Sequence, residues 1–74
     1  MRYPDRETVE RLREEYPAGC RVELLVMDDE QAPPPGTEGT VLGVDDVGSI
    51  MVRWDNGSSL SVAFGADECR RLPS

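Results

Sequence analysis

Residues 49–64 read SIMVRWDNGSSLSVAF, and the Asn56-Gly57 pair inside them constrains the fold more than any other dipeptide in the chain. Asn-Gly flanked by alternating apolar residues is the strongest short-range hairpin signal, because a type I′ turn needs positive φ at both central positions. The alternation predicts that Ile50, Val52 and Trp54 face inward, with Met51, Arg53 and Asp55 outward. Leu60, Val62 and Phe64 are the predicted inward face of a returning strand. Trp54 is the only indole, and sharing a face with Ile50 and Val52 places it in a core. Its N–H then needs a backbone carbonyl or a water.

Two further strands precede this hairpin. Cys20 to Met27 alternates Val22, Leu24 and Val26 with Arg21, Glu23 and Leu25. Glu38 to Asp45 is the second, and Gly43 inside it signals a bulge or a close backbone approach. DDEQAPPPGTEG lies between them, and Pro33, Pro34 and Pro35 favour stiff polyproline II geometry there. Asp46-Val47-Gly48 is the next turn. After the hairpin, Gly65 to Glu68 reads as a short turn or one helical turn, and Cys69 to Leu72 as a brief last strand before Pro73.

The N-terminus reads as one helix. Asp5 follows Pro4 as a natural N-cap, and Glu7 suits the positive end of the helix dipole. Val9, Leu12 and Tyr16 recur at helical spacing as a narrow apolar stripe, and Pro17 stops the run. About eleven residues make a marginal helix alone, so it must dock, and covering one open end of a sheet suits so thin a stripe. The organisation is therefore an N-terminal helix over residues 1–18 and a β domain over 19–74. Four or five short strands in under sixty residues are too few for a two-sheet sandwich and can curl into a small barrel that hides most edges. The predicted fold is mainly β, an SH3-like barrel of about five strands preceded by one α-helix.

Seventy-four residues form one small domain with a thin core. No apolar run approaches the ~20 residues that span a bilayer. No secretion signal stands at the start, so the cytoplasm is the expected location. Fifteen acidic residues face eight arginines, a net charge of −7 without lysine or histidine. Between Asp28 and Asp46 there are six acids (Asp28, Asp29, Glu30, Glu38, Asp45, Asp46) and no base. Such a stretch repels phosphate backbones, which disfavours ordinary nucleic-acid binding.

The residues offer little for catalysis. Without histidine or lysine the common general bases and Schiff-base amines are missing. Cys20 and Cys69 lack metal-site spacing and read as buried or half-buried thiols, with a single bridge open to them only if they lie on neighbouring strands. The pairs Asp28/Asp29 and Asp45/Asp46 would need an apolar cleft to act as acid and base. A barrel this small is expected to leave no cleft of ~300 Å³. The acids match no calcium-loop pattern and read as solvated turns. Neither enzyme activity, nor cofactor, nor metal is expected. At the hairpin tip, turn chemistry accounts for Asn56-Gly57 but less well for Ser58 and Ser59.

From Gly19 onward, GCRVELLVMDDEQAPPPGTEGTVLGVDDVGSIMVRWDNGSSL followed by FGADECRRL resembles a family of short bacterial, phage and mobile-element proteins of unknown function. Its members read G-x-R-(I/V)-x-L, then P-P-G-T-x-G-T-V-x-x-V-D-D, then I-x-V-x-W-D-N-G-S-S-L. The resemblance runs from Gly19 to Leu72 and leaves the N-terminal helix outside. It implies an SH3-like barrel and a mobile-element origin, and it brings no activity.

The expected function is a small acidic binding module that contacts another protein, with no membrane. Asp28, Asp29, Glu30, Asp45 and Asp46 would steer a basic partner surface, with Ser58 and Ser59 as further contacts. Phosphate mimicry in the nucleic-acid groove of a host enzyme is the sharper form of this expectation. The alternative is a nucleic-acid-associated barrel using an arginine patch of Arg21, Arg53, Arg70 and Arg71. A self-associating piece with an exposed edge strand is the third reading.

Overall fold

The computed structural model describes residues 5–73. Pro4, read above as the residue before the cap, lies outside them. Helix α1 spans Arg6–Glu15, and strands β1 to β4 span Arg21–Val26, Glu38–Val44, Ile50–Trp54 and Glu68–Arg71. They form one antiparallel sheet in the order β3-β2-β1-β4. The mainly β fold with one N-terminal helix is as the alternation predicts, and two details of the barrel differ.

The predicted returning strand is the first difference. From Leu60 to Phe64 only Val62 bridges, to Ile50. Its amide and carbonyl make both hydrogen bonds of that bridge, at 2.8 and 2.9 Å. Phe64, predicted inward, is exposed. Residues 63–67 instead close a helical turn, with the Asp67 N–H donating to the Ala63 carbonyl at 3.0 Å. The second difference follows from the first. Four strands are present among the described residues, β3 and β4 do not pair with each other, and the barrel is not closed.

The hairpin turn also departs from type I′. Within the turn positive φ occurs only at Gly57, at 94°, and Asn56 does not adopt it. The Gly57 N–H donates to the Trp54 carbonyl (3.0 Å), and the Trp54 N–H to the Ser58 carbonyl (2.9 Å). This is a three-residue loop ending in a left-handed glycine.

Two bulges curl the sheet. The β2–β3 register shifts between Val41 and Gly43, at the predicted glycine. The β1–β4 register shifts between Leu24 and Val26, which turns Val26 outward against the simple alternation. The core gathers Val22, Leu24, Val41, Val44, Ile50, Val52, Trp54 and Val62 around Val9 of the helix. The indole N–H of Trp54 donates to the Leu60 carbonyl at 2.9 Å, which holds the irregular segment against the sheet.

The helix docks as its stripe requires. Asp5 caps it by accepting from the Thr8 N–H at 2.8 Å. Val9 is buried, and Leu12 and Tyr16 pack partly buried beside it. Arg13 donates to the Val44 carbonyl at the end of β2 (3.1 Å). Arg71 of β4 donates to the carbonyl of Glu15 (3.1 Å), meeting an otherwise orphaned acceptor at the negative end of the helix.

Candidate functional site

Of the four arginines proposed above for nucleic acid, Arg21 and Arg70 are engaged with the chain's own acids. Arg21 opens its guanidinium onto both carboxylate oxygens of Asp55, with Nη1 also donating to Thr40 Oγ1 at 3.0 Å. Glu38 is a further partner at 3.4 Å. Hydrogen bonding to Asp55 raises the Arg21 pKa above its already high value, and the same contact lowers that of Asp55. Arg70 donates to Glu23 at 2.6 Å. Arg71 is held on the helix end. Arg53 and Arg71 have no ion pair among the described residues. Strand register sets Arg53 and Arg21 on either side of Thr40, so this face is a ladder of mixed charge rather than a basic stripe.

The acids divide into two groups. Asp45 is a turn residue whose Oδ1 accepts from the N–H groups of Val47 (3.1 Å) and Ser49 (2.8 Å). Asp46 meets Arg13 at 2.9 Å, but its side chain is 97% exposed, so the pair contributes little. Asp29 accepts from the Gln31 N–H at 2.7 Å. Asp28 and Glu30 are exposed, and neither they nor Asp29 has an ion pair among the described residues. Ser58 is half-buried, its Oγ 3.4 Å from the Leu60 N–H, and Ser59 is exposed. The prolines lead into a turn, with the Thr37 N–H and hydroxyl both donating to the Pro34 carbonyl, at 3.1 and 2.7 Å.

The structure adds a feature that strand alternation concealed. An open groove of about 420 Å³ lies between the helix and the 62–69 segment. Its walls are Leu12, Tyr16, Ile50, Val62 and Phe64, with Asp67 and Glu68 supplying the charge and no arginine lining it among the described residues. The sequence led to no cleft of that size. Had residues 60–64 paired fully as a strand, Phe64 would have filled this space from within. Asp67 organises one wall by accepting from the Ala63 N–H (2.9 Å) and the Asp28 N–H (3.4 Å). The acidic segment 28–30 is thereby tied to the groove, and Gly48 brings the 45–48 turn to it as well.

The two thiols are free and half-buried, as expected. Burial pushes Cys69 up to about 11, with the neighbouring Cys20 adding to the rise and a hydrogen bond from Tyr16 opposing it. Burial likewise raises the Tyr16 phenol. A nucleophilic thiol needs the opposite shift.

No helix among the described residues is long and apolar enough to cross a membrane. No curated protein and no solved structure matches the chain. A family model does match, over residues 5–72, and so takes in the helix that the resemblance had left outside. The chain belongs to the family described as Domain of unknown function (DUF4314).

Proposed function

We propose that this chain is a small acidic, non-catalytic module that binds another protein carrying a basic surface. The observation that supports the reading is how the charge is spent. Arg13, Arg21 and Arg70 pair with Asp46, Asp55 and Glu23, while Asp28, Asp29 and Glu30 have no ion pair among the described residues. The surplus of a −7 chain therefore stands at defined places on the surface, where it accelerates encounter with a cationic partner. The raised Cys69 and the lack of histidine and lysine favour binding over catalysis. Nucleic-acid contact through Arg21, Arg53, Arg70 and Arg71 draws little support from a patch in which Arg21 and Arg70 are paired with the chain's own acids and Arg71 is held on the helix end.

The test is affinity capture from host cells with the wild-type chain and with Asp28→Asn/Asp29→Asn/Glu30→Gln. Basic proteins retained by the wild type at low salt, released at high salt and missing from the neutralised variant are expected. Equal capture by the two chains overturns the reading, as does retardation of DNA or RNA by the wild type at low salt.

A further inference from the structure

We propose that the groove between α1 and residues 62–69 is the docking site for an apolar side chain carried on a cationic segment of that protein partner. The inference rests on the protein-binding reading and locates it. The walls are apolar or aromatic (Leu12, Tyr16, Ile50, Val62 and Phe64), whereas the charged lining residues among those described, Asp67 and Glu68, are both acidic. A ring that could have been buried is left 47% exposed at Phe64. Apolar walls with one sign of charge call for a partner with an apolar anchor and the opposite charge beside it.

Two features of the chain narrow the occupant. Asp67 receives the Asp28 N–H, so the 28–30 acids, which have no ion pair among the described residues, continue the acidic border away from the groove. A flanking lysine or arginine on the partner would reach them while the apolar side chain enters. A second copy of this chain is a poor occupant, because each copy carries a net charge of −7 and the same acidic rim. The volume of about 420 Å³, open to solvent, suits one or two side chains rather than an enclosed small molecule.

The probe is a random dodecapeptide library selected on the immobilised full chain. Selected peptides should place Lys or Arg within a few positions of Leu, Ile, Met or an aromatic residue. Amide shifts on binding should centre on residues 48 and 62–69. Phe64→Ser should weaken binding at least tenfold with the native fold unchanged, as followed by the Trp54 indole N–H resonance. Glu68→Gln, on an exposed residue, provides a second variant and should weaken binding several-fold at low salt only. The inference is overturned if the peptides bind Phe64→Ser as tightly as wild type, if shifts avoid the groove, if no basic-apolar pattern emerges, or if sedimentation shows a dimer lost in Phe64→Ser. Charge-dependent capture of basic proteins by wild type and Phe64→Ser alike would sink the groove and leave the binding reading standing. Loss of charge-dependent capture altogether would sink both.

Discussion

Gly39 of β2 lies opposite Trp54 of β3, so close that a Cβ on Gly39 would stand 2.8 Å from Cε3 of the indole. The same atom would meet Val52 Cγ1 at 2.6 Å and the Arg53 carbonyl oxygen at 2.8 Å. The last contact is with backbone, which cannot step aside as a side chain can. Gly39→Ala is therefore expected to destabilise the domain by about 1–3 kcal/mol through overpacking. Urea denaturation measures it, and an unchanged midpoint would contradict this account of the contact.

Trp54 also holds the chain beyond the hairpin. Its N–H is the donor to the Leu60 carbonyl in a segment that otherwise has one bridge to the sheet. Trp54→Phe keeps an aromatic core but leaves that carbonyl without its partner, at a cost of about 1–3 kcal/mol. Hydrogen exchange should quicken first at Val62 and Ala63, before β1 and β2 respond. Uniform acceleration across the sheet would show that the indole acts only through its volume.

The strands before the hairpin tip were legible because each buries alternate residues, and Gly43 marked one bulge. The bulge at Leu25 was invisible, since Val26 fits the alternation as well as Leu24 does. Leu60, Val62 and Phe64 also alternate, yet the chain pairs only at Val62 and then turns at 63–67. Short apolar alternation records what could face a core, and packing decides what does. Asn56-Gly57 named the turn's position but not its type, because one left-handed residue suffices when the loop has three residues. Gly39 drew no notice because its necessity depends on which side chain lies across the ladder. The groove joins Leu12 to Phe64 and Glu68, a meeting of distant segments that no local pattern encodes. The acids 28–30 were legible as charge, while the role of Asp67 in tying them to the groove required coordinates.

The Arg21–Asp55 contact carries a pH dependence. Hydrogen bonding to Arg21 holds the Asp55 carboxyl below its ordinary value, outweighing the opposing effect of burial. A carboxylate depressed in the folded state stabilises the fold above its unfolded pKa, ~4, and loses that contribution as pH falls through the folded value. Asp55→Asn should therefore lose less stability than wild type on acidification below about pH 4. Thermal melts across that range test the difference. Parallel acid limbs would mean the contact is too well solvated to matter.

Cys69 gives the opposite sign. Its thiol rises from 9.0 to about 11, with burial the first cause. At pH 8 the folded chain then holds roughly a hundredfold less thiolate at this position than the unfolded chain. Alkylation by iodoacetamide, followed by peptide mass spectrometry, should be slower at Cys69 by a comparable factor until urea is added. Because the folded value is the higher one, this group favours folding below pH ~9, and the contribution is lost as pH climbs towards 11. Tyr16 works against the rise by hydrogen-bonding the sulfur, so Tyr16→Phe should slow alkylation further if the ring packing is kept. Faster alkylation in that variant would mean the phenol shields the thiol chiefly by covering it. In that case the helix end, not the hydrogen bond, governs access to β4.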